Sequence, residues 1–130
     1  RAYAEFGVSA QLVAFIEDMA AQYAENDLVL CRAGALTISE LAAAGVASIL
    51  VPYPYAVDDH QTSNAHFLSD AKAAVLWPQN ELTPSLLAEW LRQCSRESLQ
   101  TMAVKARQLA RLDATTRVAD SCEEILEPAR

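Results

Sequence analysis

A chain of 130 residues, 52% of them apolar and 21% charged, has the size and balance of one soluble globular domain, which excludes an intrinsically disordered polypeptide. The formal charge of −7 argues against nucleic acid and against docking on anionic lipid through this chain, because both are gripped largely through Lys and Arg. Cys31, Cys94 and Cys122 are odd in number, far apart and set among apolar neighbours, so they read as reduced thiols and offer no pair at metal or redox spacing.

The opening residues Arg1–Phe6 read as a helix entered midway. They lack the charged segment, apolar run and small-residue cleavage site of a signal peptide, and a longer chain with an upstream part is expected. Gln11–Phe15 reads as a strand, Asp18–Glu25 as a helix and Asp27–Cys31 as a second strand. Leu36–Ala44 is helical, with Gly45 placed for a left-handed cap, and Ala47–Val51 is a third strand. The weakly polar stretch Leu41–Val57 is interrupted by Gly45, Ser48, Pro52 and Pro54. It falls short of the ~20 apolar residues that span a bilayer. His60–Ser69 is helical and Ala73–Trp77 a fourth strand. The βαβ alternation predicts an α/β fold with a parallel sheet flanked by helices and right-handed crossovers.

After Trp77 the strand signals cease. Thr83-Pro84 is a cap followed by proline at the first helical position, with Leu86, Leu87, Trp90, Leu91 and Cys94 as an apolar stripe. Ser95 caps a helix that turns Leu99, Met102, Ala103, Ala106 and Leu109 inward, and Asp113 caps a last one carrying Val118, Cys122, Ile125 and Leu126. The Trp and Met residues read as core. No repeat, low-complexity tract or linker divides the chain, which is expected to be a single partial domain of βα repeats (1–82) and a helical tail (83–130).

In an open parallel sheet, ligands bind beyond the carboxyl ends of the strands. Three loops lie at such ends. With only Gly7, Gly34 and Gly45, no glycine-rich phosphate loop can be written. In Phe15-Ile16-Glu17-Asp18-Met19, an apolar pair can lie against a flat base while the main chain pairs with its edge; a core residue followed by a helix cap is the plainer account. In Cys31-Arg32-Ala33-Gly34-Ala35-Leu36-Thr37-Ile38-Ser39-Glu40, Gly34 permits close approach, and the following helix aims unpaired N–H groups at the loop, a place for phosphate or sugar oxygens. Glu40 suits a ribose diol, since an ionised carboxylate only accepts hydrogen bonds. Thr37 and Glu40 also have the spacing of a capping box, which spacing alone favours.

The third loop runs from Pro52 to Asn64. Gln61 and Asn64, three apart, share a helix face where amides can bond sugar hydroxyls, although Asp58 and Gln61 also suit a cap and its third position. Asp58, Asp59 and His60 point in different directions on entering a helix, which argues against a metal site. Neither His60 nor His66 has a nucleophile placed by spacing. Taken alone, these residues support a nucleotide- or sugar-binding half without a complete active site.

Together, Phe15-Ile16-x-Asp18-Met19, Cys31-Arg32-Ala33-Gly34-Ala35-Leu36-Thr37-Ile38-Ser39-Glu40-Leu41 and Asp58-Asp59-His60-Gln61-x-x-Asn64-Ala65 resemble, in order and spacing, the MurG family of N-acetylglucosaminyltransferases, which make lipid II for peptidoglycan. The similarity runs through the helical tail. It implies the carboxy-terminal, Rossmann-like donor half of a GT-B glycosyltransferase. It further implies that Ile16 meets uracil through its backbone, that Glu40 takes the ribose hydroxyls, and that Ala35, Leu36 and Thr37 line the sugar and diphosphate. Ile38 and Ser39 of the same motif complete that segment, and Gln61 with Asn64 is implied to bind N-acetylglucosamine hydroxyls.

The implied reaction is an inverting transfer from UDP-N-acetylglucosamine to lipid I, with no cofactor. Helix dipoles and backbone amides stabilise the departing diphosphate, so a bound metal need not do so. Ala47 departs from a proline frequent in the family. The glycine-rich acceptor motifs are not in this sequence, so the acceptor, the catalytic base and membrane contact are expected to belong to an amino-terminal domain, and the chain alone is expected to be inactive. The intact enzyme is expected in the cytoplasm, at the inner face of the bacterial plasma membrane. Rival readings are another GT-B enzyme, such as a glycolipid glycosyltransferase or UDP-sugar epimerase, and a non-catalytic nucleotide-sugar-binding module.

Overall fold

A computed structural model describes residues 2–55 and 59–126. Strands β1 (Leu28–Cys31), β2 (Ala47–Leu50) and β3 (Val75–Leu76) form a parallel sheet in the order β1-β2-β3. Helices α1 (Ala2–Glu5) and α2 (Met19–Glu25) precede it, α3 (Ala35–Ala44) joins β1 to β2, and α4 (His60–Ser69) joins β2 to β3. Helices α5 (Pro84–Gln93), α6 (Arg96–Gln108) and α7 (Ala114–Leu126) follow. No helix among the described residues is long and apolar enough to cross a membrane.

The strands are short, but their ladders extend one residue further. Val51 N–H donates to the Cys31 carbonyl at 2.8 Å and Trp77 N–H to that of Leu50 at 2.9 Å. β2 is the central strand and all four of its residues are buried, as a strand covered on both faces requires. The register pairs Val29 with Ser48 and Cys31 with Leu50, so these four share one face. On that face the core gathers Ile38, Leu41 and Ala42 of α3, Ala65 and Leu68 of α4, Tyr23 of α2 and Ala106 of α6. The Ser48 hydroxyl, fully buried, has no hydrogen-bond partner among the described residues.

One expected strand is not formed. Gln11–Phe15 is irregular, and every residue from Tyr3 to Asp18 is exposed. The apolar residues Leu12, Val13 and Phe15 have the composition of a strand, but β-propensity is largely packing against neighbours, and here no neighbouring strand receives them. The helical tail starts as its caps predict. Thr83 accepts from Leu86 N–H, and Ser95 forms a reciprocal capping box with Ser98. Helix α7 is an outlier: all its described residues are exposed, Val118, Ile125 and Leu126 included.

Gly45 ends α3 at φ 68°, ψ 57°, with its N–H returned to the Leu41 and Ala42 carbonyls. Arg107 of α6 donates to the Ala43 carbonyl in the same last turn. A Cβ on residue 45 would stand 3.0 Å from the Arg107 Cβ. Gly45→Ala is therefore expected to destabilise the protein by about 1–2 kcal/mol from the left-handed backbone alone, more if α6 must shift, measured as a lowered urea midpoint at unchanged m-value.

Candidate functional site

The carboxyl end of β1 leads into α3 through Arg32, Ala33 and Gly34. Gly34 is the N-cap and has no side chain with which to cap, and the first intrahelical bond is Ile38 N–H to the Gly34 carbonyl at 3.0 Å. The N–H groups of Ala35, Leu36 and Thr37 are thus left without an intrahelical acceptor, at the positive end of the helix dipole. Ala35 and Leu36 are exposed, Leu36 at 81%. Gly34 has φ −67°, which any residue adopts, so the position contributes its missing Cβ and not unusual dihedrals. Because α3 starts at Ala35, Thr37 and Glu40 lie inside the helix and form no capping box.

The remaining residues of this segment divide by direction. Ile38 is 4% exposed and belongs to the core, so with its N–H spent on Gly34 it supports the loop from beneath. The Ser39 hydroxyl donates back to the Ala35 carbonyl at 3.2 Å. Glu40 is exposed, and its Oε2 accepts from the Tyr23 hydroxyl at 3.1 Å. Burial pushes the Tyr23 phenol up to about 12, and the hydrogen bond to Glu40 and the carboxylate's charge push the same way. Tyr23 is therefore protonated and donating at neutral pH. Burial likewise raises Cys31, keeping it a thiol.

Helix α4 reaches the same loop. Gln61 Oε1 accepts from Ala33 N–H at 3.3 Å and from Tyr53 N–H at 2.9 Å, while Asn64 Nδ2 donates to the Ala33 carbonyl at 3.2 Å. Gln61 thus has its oxygen committed to two loops, and its amide N–H groups are what it has to offer a hydroxyl. The third loop is also held by Arg32, whose guanidinium donates to the Val51 and Pro52 carbonyls at 3.2 and 3.1 Å and to Gln79 Oε1 at 2.6 Å. It lies 5.4 Å from the centre of the Tyr53 ring, which meets Tyr55 edge-to-face. Asp58, whose spacing to Gln61 suits a cap, lies outside the described residues; Asp59 begins α4 at φ 53° without a side-chain cap.

The first loop flanks a concavity of about 450 Å³ lined by Val13, Phe15, Ile16, Asp18, Ala21 and Gln22 among others. Phe15 is 80% exposed and Ile16 37%, so neither is the core residue of the plainer account. The cap in that account is present: Asp18 Oδ1 accepts from Ala21 N–H at 2.9 Å. Between α2 and α3, Met19, Ala20, Tyr23, Ala24, Glu40, Ala43 and Ala44 line a second groove of about 470 Å³. The roles of Tyr23 and Arg32 were missed in the sequence. For Tyr23 a signal existed: a tyrosine one turn from Met19 on an apolar face needs a partner for its hydroxyl.

The profile of the glycosyltransferase family 28 C-terminal domain matches residues 1–125. The chain belongs to this family. It is 67% identical over 125 residues to the UDP-N-acetylglucosamine–N-acetylmuramyl-(pentapeptide) pyrophosphoryl-undecaprenol N-acetylglucosamine transferase of Nitrosomonas europaea, covering 96% of this chain and 35% of that one. The transferase of the same name from Bordetella petrii is 58% identical over 123 residues, 95% of this chain and 34% of that one. Among solved structures, Acinetobacter baumannii MurG superposes with a TM-score of 0.83 at 50% identity, over 90% of this chain and 34% of that one. The fold is thus the Rossmann-like carboxy-terminal unit of family 28, and the chain spans about a third of the length of the curated relatives it matches.

Gln61→Leu strips the acceptor from Ala33 N–H, which is fully buried, and is expected to lose about 1–3 kcal/mol of stability; Gln61→Glu keeps acceptor oxygens and is expected to retain most of it, as chemical denaturation will read. The Tyr23 phenol, raised from 10.0 to about 12, favours folding in full below pH 10 and stops doing so as pH climbs to 12. The alkaline fall in stability across that window is expected to be shallower in Tyr23→Phe than in the unaltered protein, compared by urea midpoints at each pH.

Proposed function

We propose that this chain is the donor-binding part of an inverting hexosyltransferase that moves N-acetylglucosamine from UDP-N-acetylglucosamine to lipid I, giving lipid II for peptidoglycan. One observation carries the reading beyond family membership. The uncapped amino terminus of α3, the Glu40 carboxylate and the Gln61–Asn64 pair are tied to one segment, residues 33–40. Each offers what one part of a nucleotide sugar needs. Backbone N–H groups of Ala35, Leu36 and Thr37 suit the diphosphate, Glu40 the ribose diol, and the amides of Gln61 and Asn64 the hexosamine hydroxyls. Ile16, exposed beside the first concavity, suits the uracil through its main chain.

The proposed reaction is an inverting displacement. The C4 hydroxyl oxygen of the acceptor's N-acetylmuramoyl unit attacks the anomeric carbon, the bond from that carbon to the diphosphate oxygen breaks, and UDP leaves with the electron pair. Negative charge grows on the diphosphate as the bond breaks, so N–H groups and a helix dipole aimed there bind the transition state more tightly than the ground state. No residue of this chain is assigned as the base that takes the hydroxyl proton. That group, the acceptor site and membrane contact are assigned to the other domain of a two-domain enzyme working at the cytoplasmic face of the plasma membrane.

The experiment is a donor-binding and transfer assay on the full-length transferase. Glu40→Ala is expected to raise the donor Kd about tenfold, the loss of a hydrogen-bonded charged acceptor, with lipid II formed from lipid I by the unaltered enzyme. Unaltered donor affinity in both Glu40→Ala and Gln61→Ala by calorimetry would instead favour a binding module that has lost its site, and transfer to a different acceptor would favour another GT-B enzyme.

A further inference from the structure

Glu40 is a long, exposed side chain on the second turn of α3, and such a group loses much rotamer freedom when a ligand fixes it. Its partner is the opposite. Tyr23 is 7% exposed, packed into the core cluster, and has only two side-chain torsions to fix. The two are brought together from 17 residues apart, with the Tyr23 hydroxyl 3.1 Å from Glu40 Oε2. Around them the groove wall is built from Met19, Ala20, Ala24, Ala43 and Ala44, whose apolar surface strengthens a hydrogen bond that water would otherwise contest.

We propose that Tyr23 is a positioning residue for the nucleotide, its hydroxyl holding one oxygen of the Glu40 carboxylate so that the remaining lone pairs are aimed at the ribose diol before the donor arrives. An ionised carboxylate has about four acceptor sites; Tyr23 occupies one, leaving enough for two hydroxyls. The bond does a second thing. Helix α2 begins directly after the loop that carries Ile16, and α3 directly after the one that carries Gly34. A hydrogen bond from α2 to α3 therefore fixes the base-facing loop relative to the ribose-facing carboxylate. The inference rests on the assignment of Glu40 to the ribose made above.

Tyr23→Phe keeps the ring in the core and removes only the hydroxyl, so the fold is retained, as its thermal melt will verify. In the full-length transferase, donor KM is expected to rise about 3- to 10-fold, the range of one hydrogen bond, with kcat within about twofold. The rise is expected to vanish with a donor whose uridine lacks both ribose hydroxyls, and to add nothing in a Glu40→Ala background. A structural role alone would raise KM equally for both donors. An unchanged donor KM in Tyr23→Phe, or an equal rise with the dideoxy donor, overturns the positioning role while leaving Glu40 in place. An unchanged donor KM in Glu40→Ala overturns the ribose assignment itself.

Discussion

A residue taken out of water must have both its backbone N–H and its C=O met, and at Ala33, fully buried at the end of β1, α4 meets both. The Gln61 oxygen takes the N–H and the Asn64 amide supplies the donor to the carbonyl, with i, i+3 spacing putting both on one helix face. This fixes the direction in which the chain enters α3. It also fixes where the three unpaired N–H groups of that helix point, since Gly34 offers no side chain to intercept them. Everything else near the site is arranged about a segment whose backbone has been pinned from the side.

The side chains assigned to the donor in the proposed function also hold the fold together. Gln61 spends its oxygen on two loops and so presents nitrogen; Glu40 gives one oxygen to Tyr23 and keeps the other. Arg32 shows the limiting case. Its guanidinium is divided among the Val51 and Pro52 carbonyls, Gln79 and the face of Tyr53, which makes it the brace of the third loop. A fork of five donors suits such divided duty where lysine would not.

Much of this was legible in the residues. The alternation of apolar runs and helical patterns gave the parallel sheet, because a strand buried on both faces, such as Ala47–Leu50, must be continuously apolar or small. Caps at Asp18, Thr83 and Ser95 were readable since each is a local event between residues three apart. What was not legible is what depends on distant partners. Gln11–Phe15 has strand composition but no neighbouring strand, and Thr37 with Glu40 has capping-box spacing but sits past a helix start set two residues earlier. The Tyr23–Glu40 bond joins positions on different helices, and no spacing rule connects them. In α7 the apolar stripe was visible, yet its exposure was not, since a stripe states only that a surface is suited to cover and not that anything covers it.

The overall charge raises a last point. A formal charge of −7 would make the chain a poor host for the doubly charged diphosphate that the proposed function requires, if net charge decided the matter. It does not, because exposed charges more than about 8–10 Å away are largely screened at physiological salt. What acts at the end of β1 is a helix terminus with three N–H groups unspent. Glu40 lies more than a turn further along α3, where its charge is directed toward Tyr23 and the groove. The local field along residues 34–40 thus runs from positive to negative over a helix turn and a half, and a nucleotide diphosphate with a hydroxyl-bearing ribose has the matching order. Under the proposed function, such a gradient favours a ligand carrying anion and hydroxyls in sequence, which a uniformly basic surface would not do.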